Sequence, residues 1–375
     1  MSEDAMATTP LLTLADYESR ARERLRGPEW DGLFSAPGDR VWRTNQGNIA
    51  AYDRWLLRPR VLVGNDARDL ATTVLGQPVD VPILIAPSGS HQRVCAEGET
   101  ATARAAGRAG TVMVLSSVSN FSIEEVAAAA SGPLWFQLYV LKDRQLTTKL
   151  VRRAEEAGYR ALVVSVDNIA GRPSAAEQRR IYPAAREQAP PSTLEQGREC
   201  RNLKGLVPEE QRPTTLRDMI DRTLSWRDIE WLREHSGIPV VVKGIQTHED
   251  ARLCVESGAD AIVVSNHGGV PLELEGVRAS LDALPEIVDA VGADLEVYLD
   301  GGIRHGRDVL KALALGARAV LTGRPVQWGL AVNGEAGVVD MLGILRRQLD
   351  SSMGIAGLPD VKAIGREAVV AAGSW

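Results

Sequence analysis

The stretch "IPVVVKGIQTHEDARLCVESGADAIVVSNHGG", residues 238–269, reads as strand, helix, strand. Two short apolar, β-branched runs, "IPVVVKG" and "ADAIVVSNHGG", flank an amphipathic segment. That segment opens on Thr247, with Asp250 three residues later, and closes on glycine, which is how a capped helix starts and stops. Strands with no polar alternation belong to a parallel sheet buried on both faces.

The same unit recurs along the chain. Further strand-like runs are "VPILIAPS" (81–88), "TVMVLSS" (111–117), "PLWFQLYV" (133–140), "RALVVSVD" (160–167), "LEVYLDGG" (295–302) and "ARAVLTGRP" (317–325), which brings the number to eight. Helical patterns such as "EGETATARAAGRAG" and "HGRDVLKALALGA" lie between them. Eight strand–helix units in succession predict an α/β chain folded as a single (β/α)8 TIM barrel. A doubly wound open sheet is the alternative, but no GxGxxG follows any strand. The expected organisation is one domain over 1–375. It has a partly helical N-terminal extension (1–80), the barrel (81–332), and a C-terminal helix and tail (333–375). Residues 172–225, rich in Pro, Arg, Glu and Gln, interrupt the rhythm between strands four and five and are expected to form a lid or mobile loop.

Composition narrows the class. The chain has 375 residues, 44% of them hydrophobic, and a formal net charge of −6 with acids and bases interspersed. That fits a soluble protein with a sizeable core and shows no nucleic-acid footprint. Cys95, Cys200 and Cys254 make no metal or CxxC spacing, so the expectation is a reduced, cytoplasmic protein without a metal. The N-terminus has no signal-peptide pattern, and no apolar run approaches the roughly 18 residues of a membrane span.

In such a barrel, chemistry sits at the C-terminal ends of the strands. Every predicted end is polar: Pro87-Ser88-Gly89, Ser116-Ser117, Gln137 and Tyr139, Ser165 and Asp167, Lys243, Ser265 and His267, Asp300 and Arg304, Gly323 and Arg324. Any one could be a satisfied buried polar group; a full set is harder to explain by packing. "DGGIRHG" and "TGRP" put glycine backbone beside Arg304 and Arg324 after the last two strands, which suits a phosphate group. Lys243 could be a Schiff-base nucleophile or a fixed cation beside a cofactor. His267 suits proton abstraction, with Asp167 to orient it.

Taken together, "APS", "EGETATARAA", "LSS", "FQLYV", "VVSVD", "VVVKG", "VSNHGG", "DGGIRHGRDVLKALALGA" and "GRP" resemble the FMN-dependent α-hydroxy-acid oxidase and dehydrogenase family over nearly the whole chain. The resemblance implies FMN as cofactor. The isoalloxazine ring would be held by the backbone of Ala86, Pro87, Ser88 and Gly89 together with Ser116, Gln137 and Ser165. Lys243 would stand near flavin N1, with Ser265 beside it. Asp300, Gly302, Arg304, Gly323 and Arg324 would bind the ribityl phosphate. His267 would be the base, Asp167 its partner and Tyr139 a donor to substrate. Hydrogen would leave carbon as hydride or by a proton-first route. The resemblance also implies a homo-oligomer, commonly a tetramer.

The substrate side departs from the family pattern. Val270 stands where an arginine usually follows the histidine by three. In "VDNIAGRPSA", Arg172 matches the first arginine of a pair and Pro173 falls where the carboxylate ligand should be. The N-terminal tyrosine is missing, with Gly32, Leu33 or Phe34 in its place, and Val118 replaces a larger residue. Losing a buried bidentate pair would cost several kcal/mol of binding to a small hydroxy acid. The first expectation is therefore oxidation of a carbinol or amine carbon on a larger small molecule, a specialised metabolite or a peptide-derived substrate, in a pocket near Val118, Val270 and Phe34. The second is a conventional 2-hydroxy-acid enzyme whose lost clamp is replaced by Arg172, His91, Arg179 or Arg180. The third is a non-catalytic FMN-binding scaffold, or an aldolase built on Lys243.

Overall fold

In this computed structural model, the described residues are 10–25, 30, 39–64, 66–167, 201–208, 216, 219–269 and 277–373. The eight apolar runs form β1 (Ile83–Ile85), β2 (Met113–Leu115), β3 (Leu134–Leu138), β4 (Leu162–Ser165), β5 (Val240–Ile245), β6 (Ala261–Val264), β7 (Glu296–Asp300) and β8 (Ala319–Thr322). All neighbours pair in parallel, and the sheet closes in sequence order. Closure is made by β8 on β1, with Val320 against Ile83 and Thr322 against Ile85, which excludes the open sheet.

Each strand is followed by one of eight helices: α1 (Gly98–Arg108), α2 (Ile123–Ala129), α3 (Arg144–Glu156), α4 (Trp226–His235), α5 (His248–Glu256), α6 (Ser280–Val291), α7 (Gly306–Ala314) and α8 (Arg324–Ala356). Thr247 caps α5 as its sequence predicts, accepting the Asp250 N–H. None of the described helices is long and apolar enough to cross a membrane.

The period-2 alternation of a strand divides the apolar residues between two cores. Leu84, Val114, Trp135, Val163, Val241, Val263, Tyr298 and Leu321 fill the barrel interior. Their neighbours, among them Ile85, Leu115, Phe136, Val164, Val242, Ile262, Leu299 and Val320, pack outward under the helices. Trp135 and Tyr298 meet edge to face at 5.6 Å. The N-terminal end of the barrel is stopped by a hairpin, Thr72–Val74 against Gln77–Val79. Its turn residues, Leu75 and Gly76, both have positive φ, as a two-residue I′ turn requires. Val74 and Val79 join the interior core, and the Leu75 N–H donates to Glu296. Only the C-terminal mouth is left for chemistry.

Two elements outside the barrel reach that mouth. The helix Asp39–Ala50 packs against the turn His267–Gly269. Part of the segment expected as a lid is instead a packed element. Asn202 and Leu203 are buried, and the Asn202 amide donates to Ser117 O (3.1 Å) and accepts from Ile123 N (3.0 Å). Residues 172–200, 209–215, 217 and 218 of that segment lie outside the described residues.

Helix α8 folds back on itself at Asn333 and Gly334, whose dihedrals are non-helical. Its two halves touch at Gly329 and Gly337. A Cβ on Gly329 would lie 2.8–3.0 Å from three backbone atoms of Gly337 and Val338. Helix propensity alone favours Gly329→Ala by about 1 kcal/mol. Backbone cannot swing aside, so the clash, worth about 1–3 kcal/mol or more, is the larger effect. Gly329→Ala is expected to lower the thermal midpoint; an unchanged or raised midpoint would refute this packing argument.

Candidate active site

Polar side chains at the strand ends form two hydrogen-bonded groups around the mouth. Ser116 Oγ donates to Gln137 Oε1 (3.3 Å), and Gln137 Nε2 donates to Ser165 Oγ (3.1 Å). Ser165 is in register with Lys243 across β4 and β5. Lys243 Nζ donates to Ser265 Oγ (3.0 Å) and lies 3.1 Å from Asp300 Oδ2. Ala86 N donates to Thr322 O (2.9 Å), joining the last strand to the first. Tyr139 is buried beside these groups, and its N–H donates to Ser117 Oγ.

Lys243 is fully buried. Burial opposes its charge, but Asp300 and Asp167 outweigh it and hold the ammonium above the usual lysine range. A Schiff-base lysine needs the opposite shift. The geometry therefore favours a fixed cation and removes the aldolase reading.

His267 Nδ1 lies 2.8 Å from Asp167 Oδ1. Burial pushes the Asp167 carboxyl up, but His267 and Lys243 outweigh it and keep it below the usual carboxylate range. An ionised Asp167 only accepts, so His267 Nδ1 donates to it. His267 has φ 55°, followed by Gly268 at 64° and Gly269 at 83°, a turn only a tightly held histidine adopts.

Arg304 and Arg324 are half-buried, and neither forms an ion pair among the described residues. Arg304 lies over the Trp328 ring (5.0 Å) and donates to Ile303 O. Arg324 donates to Asn45 Oδ1 and Gly268 O, both at 3.1 Å. Burial and the neighbouring Arg324 push the Arg304 guanidinium down to about 10, and burial lowers Arg324 as well. Glu18, Asp300 and Asp308 act on them from a distance, but among the described residues no carboxylate is in direct contact, which suits an anion. The Asp300 Oδ1, Asp167 Oδ2 and Thr322 Oγ1 atoms nearby are buried without a hydrogen-bond partner. This donor set fits a phosphorylated cofactor with a polar ring edge.

Residues 21–371 match the family described as FMN-dependent dehydrogenase. The chain belongs to that family. FMN is therefore its cofactor, and it is an oxidoreductase. It is 45% identical to an L-lactate oxidase of Nostoc sp. over 359 residues, 94% of this chain and 96% of that one. It is 43% identical to human 2-hydroxyacid oxidase 1 over 366 residues, 96% of each. Among solved structures it is similar to an arginine-to-leucine variant of mandelate oxidase with 2-hydroxy-phenylacetamide. The TM-score is 0.82 at 37% identity, covering 96% of this chain and 98% of that one.

The substrate-side expectations fare differently. Val118 is partly exposed, and a Cβ on Gly89 would run into its side chain, so the two residues are direct neighbours. Val270, Phe34 and Arg172 lie outside the described residues. His91 is a correction. It was expected as a possible cation for a carboxylate, but it is 1% exposed and both ring nitrogens are engaged, by Ser88 Oγ (2.7 Å) and Thr102 Oγ1 (3.0 Å). Burial lowers its pKa, so it is a neutral strut behind Ser88. Gly302 also has a second reason to be glycine: at φ 82°, a Cβ would collide with the Asn48 carbonyl. Sequence reasoning missed Asn45 and Asn48, which reach the mouth from the N-terminal helix. The one available hint was Asn266, immediately before His267 in "SNHGG".

Replacing Arg304 by methionine keeps the apolar cover on Trp328 and removes one cation. The apo-protein should be at least as stable as the parent, while FMN affinity falls about 100-fold, the order expected for one desolvated charge contact. Fluorescence titration with FMN and the apo thermal midpoint check both halves. A less stable apo-protein with unchanged FMN affinity would show that Arg304 is structural.

Proposed function

We propose that the chain oxidises the carbinol carbon of a 2-hydroxy acid to a ketone, with His267 as the base. The observation that supports this best is the His267–Asp167 pair: the 2.8 Å contact engages Nδ1, so that Nε2 is the ring nitrogen that would meet the substrate hydroxyl. Nε2 would take the substrate hydroxyl proton, and Asp167 would stabilise the imidazolium that results. FMN, when bound, supplies the acceptor for the carbon-bound hydrogen and the two electrons that leave with it. Lys243, fixed by Asp300 and Ser265, would supply positive charge at the electron-rich edge of the ring. The backbone from Ala86 to Gly89, with Ser116, Gln137 and Ser165, would line the ring. Arg304, Arg324 and the backbone at Gly302 and Gly323 would take the phosphate, and Tyr139 would donate to substrate.

Relatives named for L-lactate, glycolate and 2-hydroxyacid oxidation, at 42–45% identity, shift the weight from a larger unusual substrate to this conventional class. One observation favours a second reading. Val270 removes a carboxylate-binding arginine from the sequence pattern, and the similar mandelate oxidase variant holds 2-hydroxy-phenylacetamide, an uncharged amide. A substrate with a neutral group beside the carbinol would suit such a pocket.

Anaerobic addition of 2-hydroxy acids, then of the matching 2-hydroxy amides, separates the two. Bleaching of the flavin spectrum by an acid is expected; bleaching by amides alone would overturn the proposal. His267→Gln should slow bleaching by about 10²–10⁴-fold with FMN still bound. The pH dependence has a definite sign. The lowered Asp167 pKa means its contribution is complete above the ordinary carboxylate range and is lost only as pH falls below it. The raised Lys243 pKa keeps that charge up to and beyond the ordinary lysine range. Stability from this network should therefore be flat between about pH 5 and 9, with losses outside it. Thermal midpoints of the parent and Asp167→Asn across pH, converging only in acid, check it.

A further inference from the structure

The turn that presents His267 is held largely from outside the barrel. Three consecutive left-handed residues, the first a histidine, persist only where the surroundings hold them. One hold is local: His267 N donates to Ser265 Oγ at 3.0 Å. Gly269 N donates to Asn266 O (2.9 Å) and Asn266 N to Ser280 Oγ (3.2 Å), and a further set of holds comes from the helix Asp39–Ala50. Asn48 Nδ2 donates to Asn266 Oδ1 at 2.8 Å, and Asn266 Nδ2 donates back to Asn48 Oδ1 at 2.8 Å. Both side chains are buried. Asn48 Oδ1 also accepts from Ser280 N (3.2 Å), and Asn266 Nδ2 also donates to Arg278 O (3.3 Å).

Such a reciprocal pair needs a donor and an acceptor on each side chain, which only carboxamides provide here. On the other flank of His267, Arg324 bridges Gly268 O to Asn45 Oδ1. The helix thus grips Asn266 directly and Gly268 through Arg324, one residue to either side of the base.

We infer that Asn48 is a positioning residue for His267, and that Asn45 provides a second hold through Arg324. The inference rests on the reading of His267 as base. It assigns the N-terminal helix a part in the reaction: it sets the angle at which the imidazole meets Asp167 and substrate.

Asn48→Ala in the FMN-loaded protein tests it, with Asn48→Ala/Asn266→Ala as the companion that leaves no orphaned amide. The expected result is unchanged FMN affinity, unchanged KM, and flavin bleaching about 30-fold slower or more, as a displaced reacting group produces. The acidic limb of the rate profile and the NMR titration of the His267 ring, assigned with His267→Gln, should both move. A folded single or double variant with the parent's rate and the parent's His267 titration overturns the inference. If the single variant does not fold, the double variant and Asn45→Ala decide it by the same readouts. If the parent is not bleached by any 2-hydroxy acid, the functional proposal fails on its own, and the His267 titration still decides the positioning.

Discussion

A parallel strand closed into a barrel has no face on which a polar side chain can rest. Both of its sides are covered, one by the other strands' interior residues and one by helices. Polar groups are therefore pushed to the strand ends. The N-terminal end is stopped by the Val74–Val79 hairpin. The polar set from Ser116 through Gln137, Ser165, Lys243 and Ser265 follows directly from that constraint. These residues share the mouth because β2 to β6 pair side by side in parallel, which brings their C-terminal ends together.

Charge is handled in two ways within that mouth. Lys243 is buried with its counterions in place, Asp300 at 3.1 Å and Asp167 close by, and its charge is reinforced. Arg304 and Arg324 are half-buried; among the described residues their contacts are carbonyl, amide and aromatic groups, and their charges are weakened. The first arrangement is complete within the protein and can act as a fixed field. The second leaves positive charge that an anion would offset. That contrast is what supports the proposed phosphate position at the last two strands, with the ring nearer Lys243.

The fold was legible because its signal is local. "VVVK", "AIVV" and "AVLT" become strands from their own composition, and the strand-end positions of His267, Asp167 and Lys243 come with them. What was illegible is long-range or context-dependent. Asn48 and Asn266 are 218 residues apart, and neither amide announces a partner. His91 reads as a possible cation in sequence, yet neutrality is imposed on it by burial and by Thr102 and Ser88. Gly302 reads as a phosphate glycine, while the nearer constraint is the Asn48 carbonyl. In each case the deciding neighbour comes from an element that local patterning could not place.

The same accounting bears on the substrate. A hydroxy-acid carboxylate brought into this mouth needs a cation or a set of N–H donors. Lys243 is committed to Asp300, and Arg278 to Glu286 by a bidentate contact at 2.5 and 3.0 Å. His91 is neutral and turned to Ser88. Arg304 and Arg324 lie at the phosphate end. None of these is available without breaking another interaction. Under the proposed function, Arg172, Arg179 and Arg180, which lie beyond the described residues, are candidates for a carboxylate partner. If neither they nor a set of N–H donors serves that carboxylate, a neutral group on the substrate fits this position better. The catalytic end and the recognition end of this site thus answer to different constraints: the barrel mouth positions the first, while the cations named above are already committed and leave the second to other groups.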